Sequence, residues 1–238
     1  MAGTSTRKSG IAPDVAAIRK MLKAFYNATD GEGRQWGGAK WGIYAFYDFD
    51  GEPIYVGQTC ERLRSRIGRH LTNQRTDAVA MFVLDPFEVE SIEVWPFWGL
   101  GNAKCSDKEA KAMIDAAEYT VFLQSIGASR FKAILNEKMP PRSMPIEMPS
   151  SYRASIIPDD LREGRSHPDI RIARRAGTIA NLTRVIAERG DVNPGLRHTL
   201  VVQARRLEWL SEARVEELGA PYPEKKAGTE TGEDIENE

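Results

Sequence analysis

Residues 41–70, WGIYAFYDFDGEPIYVGQTCERLRSRIGRH, constrain the fold more than any other part of this chain. Apolar and polar residues alternate over positions 43–49, Asp50-Gly51 follows, and a second apolar run begins at Ile54. Asp-Gly between two such runs predicts a two-residue hairpin turn with positive φ at both positions, which glycine accepts without steric cost. An arginine-rich helical pattern follows Gly57. The stretch therefore predicts a hairpin and then a helix.

This geometry gathers aromatic and basic side chains. The hairpin places the strand of Tyr44 beside the strand of Tyr55. Helical residues three and four apart share a face, so the helix presents a basic face. That face consists of Arg62, Arg66, Arg69 and His70. We therefore expect an anionic ligand here.

The same residues carry a family resemblance. Gly42-Ile43-Tyr44, Tyr55-Val56-Gly57 and Arg66-x-x-x-His70 resemble the core of the GIY-YIG nucleases, which include homing endonucleases, restriction enzymes and repair nucleases. The resemblance covers residues 41–137. It implies metal-dependent hydrolysis of phosphodiester bonds.

The resemblance also implies roles for single residues. Tyr44 would be the base and Tyr55 would orient the phosphate, although the two roles could be exchanged. Arg66 would clamp the scissile phosphate, with Arg64 as the alternative because the gap from Tyr55 is about one residue longer than in homing enzymes. His70 would accept a proton from a tyrosine or act as the base itself. Other expected DNA contacts are Arg62, Arg64 and Arg69.

A carboxylate in the next predicted helix completes the expected site. Glu118 adjoins an apolar stripe, where a glutamate of an arbitrary helix would usually reach solvent. The resemblance implies instead that Glu118 binds the metal, Mg²⁺ or alternatively Mn²⁺, with Asp115 and Glu109 as competitors. Asn136 matches a family asparagine that orders the site.

The remaining pattern predicts an α/β (α+β) fold with a small three-stranded mixed or antiparallel sheet flanked by helices. Residues 87–97 predict the third strand, and residues 107–125 a helix capped by Ser106. Residues 169–189 and 196–218 predict a helical hairpin. Its arginines outside the apolar seams either contact DNA or form a solvated face. They are Arg171, Arg174, Arg175, Arg184, Arg197, Arg205 and Arg206.

Five segments are predicted along the chain. Residues 1–40 hold an N-terminal helix and a glycine-rich loop, and residues 41–138 hold the nuclease-like domain. A Pro-rich linker spans residues 139–167, the helical hairpin spans residues 168–220, and a disordered acidic tail spans residues 221–238.

Charge and cysteine content indicate what kind of partner and compartment the protein has. The net charge is -1, but the last fifteen residues hold six acids and two lysines, so residues 1–223 carry +3. This balance is compatible with a nucleic-acid partner. Cys60 and Cys105 are too few for a disulfide framework and are expected to be free thiols. Without an apolar run long enough for a membrane or a secretion signal, we expect a cytoplasmic protein.

The sequence thus predicts a stand-alone, metal-dependent DNA endonuclease of restriction or mobile-element type, acting as a monomer or as a homodimer on DNA. The alternatives are a repair nuclease for branched DNA and a catalytically weak module that binds nucleic acid or a protein partner.

Overall fold

A computed structural model describes residues 10–71 and 83–219. The described residues form a four-stranded antiparallel sheet in the order β2-β1-β3-β4, with helices on both faces. The α/β prediction is confirmed. The strands are β1 (Gly42–Tyr47), β2 (Pro53–Thr59), β3 (Ser91–Pro96) and β4 (Tyr152–Ser155). The helices are α1 (Pro13–Asn27), α2 (Leu63–Leu71), α3 (Lys108–Ala128), α4 (Asp159–Ser166), α5 (Pro168–Arg189) and α6 (Pro194–Glu217).

The β1–β2 hairpin is confirmed, but its turn is longer than expected. Residues 48–52 form the connection, and the side chain of Asp48 accepts hydrogen bonds from the backbone N–H groups of Asp50 and Glu52. Gly51 has a φ of 72°, whereas Asp50 keeps a negative φ. The prediction of a two-residue turn is wrong because the Asp48 carboxylate supplies the turn with its own acceptor.

The sheet has one strand more than the sequence indicated. β4 pairs antiparallel with β3, from Ser91 opposite Ser155 to Val94 opposite Tyr152. It lies within residues 139–167, where the proline content indicated a linker, and α4 follows in the same segment. A strand of four residues between Pro149 and Pro158 is too short to produce a recognisable alternation.

The two faces of the sheet bury different cores. Tyr44 and Phe46 of β1 pack with α1, α2 and the helical hairpin, while Ile43 and Ala45 face α3 through Ile114. The alternation along β1 thus directs α2 and α3 to opposite sides. Asp107 caps α3 by accepting from the backbone of Glu109 and Ala110, so the expected Ser106 cap is wrong by one residue.

Helices α5 and α6 form the predicted hairpin, and arginines attach it to the rest of the molecule. Arg171 forms two hydrogen bonds with Asp50, at 2.9 and 2.6 Å. Arg175 bonds to Asp48 at 3.0 Å and to Glu88 at 3.2 Å, and Arg206 also pairs with Asp48. We call this group the arginine–carboxylate cluster: Asp48, Asp50, Glu88, Arg171, Arg175 and Arg206.

The cluster corrects one sequence expectation. Arg171, Arg175 and Arg206 are at most 3% exposed, so these three do not form a DNA-binding or solvated face. Burial of a guanidinium is tolerated because each one meets a carboxylate. Arg184 and Arg197 of the same hairpin are exposed.

The hairpin also approaches the segment after α3 backbone to backbone. A Cβ built on Gly195 would lie 1.6 Å from the carbonyl oxygen of Glu137. A side chain larger than hydrogen therefore cannot occupy position 195 without moving one of the two segments.

Cys60 and Cys105 are not free thiols. They form a disulfide across 45 residues, with Cα atoms 5.4 Å apart. The free-thiol prediction is wrong because the loop before α3 returns to the end of β2, a contact that no local pattern predicts. The bond ties the beginning of α3 to β2.

Among the helices of the described chain, none is both long and apolar enough to cross a bilayer. The acidic tail predicted to be disordered at positions 221–238 lies outside the described chain.

Candidate active site

The site is built around a tyrosine that lies across a glycine. Tyr44 of β1 stands opposite Gly57 of β2 in the antiparallel register. A Cβ on Gly57 would lie 2.4 Å from the Tyr44 hydroxyl oxygen. Only glycine at this position lets the phenol cross β2 and reach the edge of the sheet.

The Tyr44 hydroxyl meets the basic face of α2. It lies 2.8 Å from Nε2 of His70, and Nε of Arg66 donates to it at 3.4 Å. Arg66 and His70 are four residues apart on α2, so both side chains point toward β1. The expected convergence of these three residues is present.

Burial dominates the electrostatics of this tyrosine. Tyr44 is fully buried, and burial raises the pKa of its hydroxyl well above 10. The charge of Arg66 opposes this shift, whereas the charge of Glu118 adds to it. Tyr44, Arg66 and Glu118 therefore act on one another within one site, and the phenol needs a proton acceptor to ionise.

A cleft opens beside β2, next to this group. Its volume is about 530 Å³, and its walls include Tyr55, Arg66 and Glu118 on one side and residues 136–141 on the other. Tyr55 therefore reaches the open cleft, whereas Tyr44 lies behind it. The two phenol rings are stacked, with centroids 6.2 Å apart.

Glu118 brings a carboxylate to the cleft from the opposite face of the sheet. Gln58 Nε2 donates to Glu118 Oε2 at 2.9 Å and to Asp115 Oδ1 at 2.6 Å. Burial raises the pKa of Glu118 to about 7, although the hydrogen bond from Gln58 and the charge of Arg66 both lower it. A cation beside this carboxylate would relieve the cost of its desolvation.

Asn136 closes the edge of the sheet beside the cleft. Its side chain accepts from the backbone N–H of Val56 at 3.1 Å and donates to the Val56 carbonyl at 2.8 Å. These two bonds replace a neighbouring strand on the outer edge of β2. Asn136 thus holds the strand that carries Tyr55 and Gly57.

The match with a known family covers the first part of this site. Residues 40–111 match the family model of the GIY-YIG catalytic domain. This segment is similar to GIY-YIG catalytic domains. A search of curated proteins found no match to the chain, and a search of solved structures found none either.

GIY-YIG catalytic domains are nuclease domains, so the match indicates a nucleic-acid substrate. The match contains Tyr44, Tyr55, Arg66 and His70, and it ends before Glu118 and Asn136. The sequence resemblance had implied both residues, and the structure places both beside the same cleft. The motif residues of the GIY-YIG domain and these two additions border one cleft or the groups directly behind it.

GIY-YIG nucleases generally use a divalent metal, and the cleft offers few protein ligands for such an ion. No group of three or more His, Cys, Asp or Glu side chains placed to hold an ion occurs in the part of the chain that the structure describes. Glu118 offers a hard oxygen ligand in the cleft, which suits Mg²⁺ because this ion keeps several waters and takes one or two carboxylates. The residues present thus fit such an ion.

The other arginines of the GIY-YIG domain have different surroundings. Arg64 donates to the carbonyl of Gly37 and to Gln35, so it is directed away from the cleft. Arg69 pairs with Glu61, and Arg62 is exposed. Of the two candidates for the phosphate clamp, Arg66 is the one that reaches the cleft.

Sequence reasoning did not single out Gln58. It follows the Tyr55-Val56-Gly57 segment directly, but nothing in its own neighbourhood indicates that two carboxylates of α3, 57 and 60 residues away, lie within hydrogen-bonding distance.

Proposed function

We propose that this protein is a metal-dependent endonuclease that hydrolyses DNA phosphodiester bonds, of the stand-alone restriction or mobile-element type. The observation that carries the proposal is the single cleft between Arg66 and Glu118, with the Tyr44–His70 pair directly behind it. Together these groups provide an anion clamp, a cation ligand and a proton acceptor, which are the parts that phosphodiester hydrolysis requires.

Arg66 is the phosphate clamp. Its planar guanidinium can give two parallel hydrogen bonds to a phosphate, which a lysine cannot reproduce. Its Nε donates a hydrogen bond to the Tyr44 hydroxyl. A phosphate held by Arg66 in the cleft would therefore lie close to the Tyr44 hydroxyl.

Tyr44 is the base, and His70 is its proton acceptor. A phenol whose pKa is raised by burial is a poor base alone, but His70 Nε2 at 2.8 Å can take its proton as the water is deprotonated. Tyr55, which faces the cleft, orients the phosphate. Asn136 keeps β2 in place beneath it.

Glu118 is the ligand that would hold the metal. The ion, when bound, supplies charge relief in the transition state and assistance to the leaving 3′ oxygen. The cleft position of Glu118 and the fit of its donor set support this assignment.

Incubation of the protein with supercoiled plasmid and Mg²⁺ tests the proposal. Discrete linear fragments are expected, and none with the Glu118→Gln variant. Cutting restricted to four-way or branched junctions would identify a repair nuclease instead. A folded wild-type protein that binds DNA but leaves every substrate intact would contradict the proposal and identify a binding module.

A duplex with a symmetric target has two scissile phosphates, so one cleft must act twice or two copies must act together. Sedimentation of the protein on a cleavable duplex distinguishes the homodimer from the monomer.

A further inference from the structure

Gln58 occupies the space between two carboxylates of one helix. Its side-chain nitrogen lies 2.6 Å from Asp115 Oδ1 and 2.9 Å from Glu118 Oε2. Asp115 and Glu118 are three residues apart and therefore share a face of α3. Both N–H groups of one amide are used by these two acceptors.

The orientation of the amide follows from the chemistry of its neighbours. An ionised carboxylate only accepts hydrogen bonds, so the amide oxygen facing both acids would bring three acceptors together. With the nitrogen facing them, each acid has a donor. Like charges one helical turn apart repel, and the amide offsets this repulsion without cancelling the negative charge that a cation requires.

These contacts are not needed to attach α3 to the sheet. Val56 and Ile114 already belong to one buried core, and the Cys60–Cys105 disulfide joins the end of β2 to the beginning of α3. The hydrogen bond from Gln58 therefore acts mainly on the orientation of the Glu118 side chain. A glutamate has three rotatable bonds, and one hydrogen bond from a fixed strand selects the rotamer that faces the cleft.

We propose that Gln58 is a positioning residue that holds the Glu118 carboxylate in the orientation that binds the divalent metal. The inference rests on the proposed nuclease function and adds a residue to it. Its position beside the cleft residue Glu118 follows from β2, since Gln58 comes directly after the Gly57 that accommodates Tyr44.

The Gln58→Met variant tests this inference, because methionine keeps the length of the side chain and removes both donors. Calorimetric titration with Mn²⁺ should show a dissociation constant 10- to 100-fold higher than that of the wild type, the usual cost of losing a group that orients a metal ligand. The urea midpoint should fall only slightly, because the buried core and the disulfide still attach α3 to the sheet. Cleavage should need more metal for half-maximal rate but recover kcat at saturating Mn²⁺.

The matched control is Gln124→Met, which changes an exposed glutamine of α3, the helix that carries Glu118. It should match the wild type in Mn²⁺ affinity and in cleavage. Three results overturn the role of Gln58: wild-type Mn²⁺ affinity in Gln58→Met, a raised KM for DNA alone, or a strongly lowered urea midpoint with kcat not recovered by metal. A wild-type protein that neither cuts DNA nor binds Mn²⁺ overturns the proposed function, and this inference with it.

Discussion

Arg66 differs from the other arginines of its segment in what its guanidinium touches. Arg64 and Arg69 are held by Gln35 and Glu61, whereas Arg66 reaches Tyr44 and the cleft. We predict that Arg66→Lys lowers kcat about 10²- to 10³-fold, because the remaining point charge cannot give paired hydrogen bonds to the phosphate. Single-turnover cleavage at saturating protein measures this loss.

Arg184→Lys provides the comparison. Arg184 is an exposed arginine of α5 that pairs with Glu188 and lies outside the site. This variant should cut at the wild-type rate. An Arg66→Lys variant that does the same would show that Arg66 is not the clamp.

Substitutions of the two tyrosines are expected to affect different kinetic parameters. Tyr44→Phe removes the hydroxyl that contacts His70, and we predict a loss of about 10²- to 10⁴-fold in kcat, the usual contribution of a general base. Tyr55→Phe keeps the Tyr44–His70 pair and should chiefly raise KM for DNA. The opposite pattern would assign the base to Tyr55.

Individual residues were predictable where a local spacing determines them. Arg66 and His70 share a helix face, and Tyr44 and Tyr55 share a hairpin, so short-range geometry already brings them together. Gln58 and the buried Arg171 could not be found in this way, because their partners lie on elements far away in sequence. An arginine in an amphipathic helix usually belongs to the solvated face, and only tertiary contacts reveal the exception.

Among the elements, β2 shows how a glycine determines the position of a neighbouring strand's side chain. We predict that Gly57→Ala forces the Tyr44 ring away from His70, because the added methyl group would meet the phenol at well under contact distance. Overpacking of this kind costs about 1–3 kcal/mol, and cleavage should fall more steeply than stability. Urea unfolding and plasmid cleavage measured on the same sample give both quantities.

Gly99→Ala is the matched control, since no atom lies within 4 Å of a Cβ built there. Its stability in urea and its rate of plasmid cleavage should both equal those of the wild type. Wild-type cleavage by Gly57→Ala would show that the site tolerates a displaced Tyr44.

Helices and strands with a strong hydrophobic periodicity were predictable from the sequence. The remaining elements depend on tertiary contacts, such as strand pairing. The β1–β2 hairpin and helix α3 each carry a clear local pattern. The turn at residues 48–52 was not predictable in detail, since the Asp48 side chain competes with the expected two-residue geometry. β4 exists because the edge of β3 accepts it, and four residues offer too little pattern to detect.

At the scale of the whole molecule, the arginine–carboxylate cluster makes stability depend on pH. Burial acts to raise the pKa of the Asp50 carboxyl, but the hydrogen bonds and charge of Arg171 outweigh it and hold the pKa below 3.8. A carboxyl whose folded pKa is depressed stabilises the fold above its unfolded pKa, and this contribution is lost as pH falls through the folded value.

We therefore predict that Asp50→Asn lowers the free energy of unfolding at pH 7 by about 1.5–3 kcal/mol, the usual range for a charged hydrogen bond. The difference from the wild type should shrink as pH falls below 4. Urea titrations from pH 7 to pH 3 measure it. Asp159→Asn, which changes a fully exposed carboxylate, should stay within about 0.5 kcal/mol at every pH, and a constant gap for Asp50→Asn would contradict the prediction.

Because the backbones of Gly195 and Glu137 are in close contact, the C-terminal helices support the part of the chain that carries the cleft. Glu137 directly follows Asn136, so a displacement of α6 would also displace the Asn136 side chain. That side chain is hydrogen-bonded to the outer edge of β2. A change in the distal helices is therefore expected to slow the proposed DNA cleavage without a contact to the substrate. Removal of everything after residue 141 would leave the cleft wall at residues 136–141 without the support of the helical hairpin.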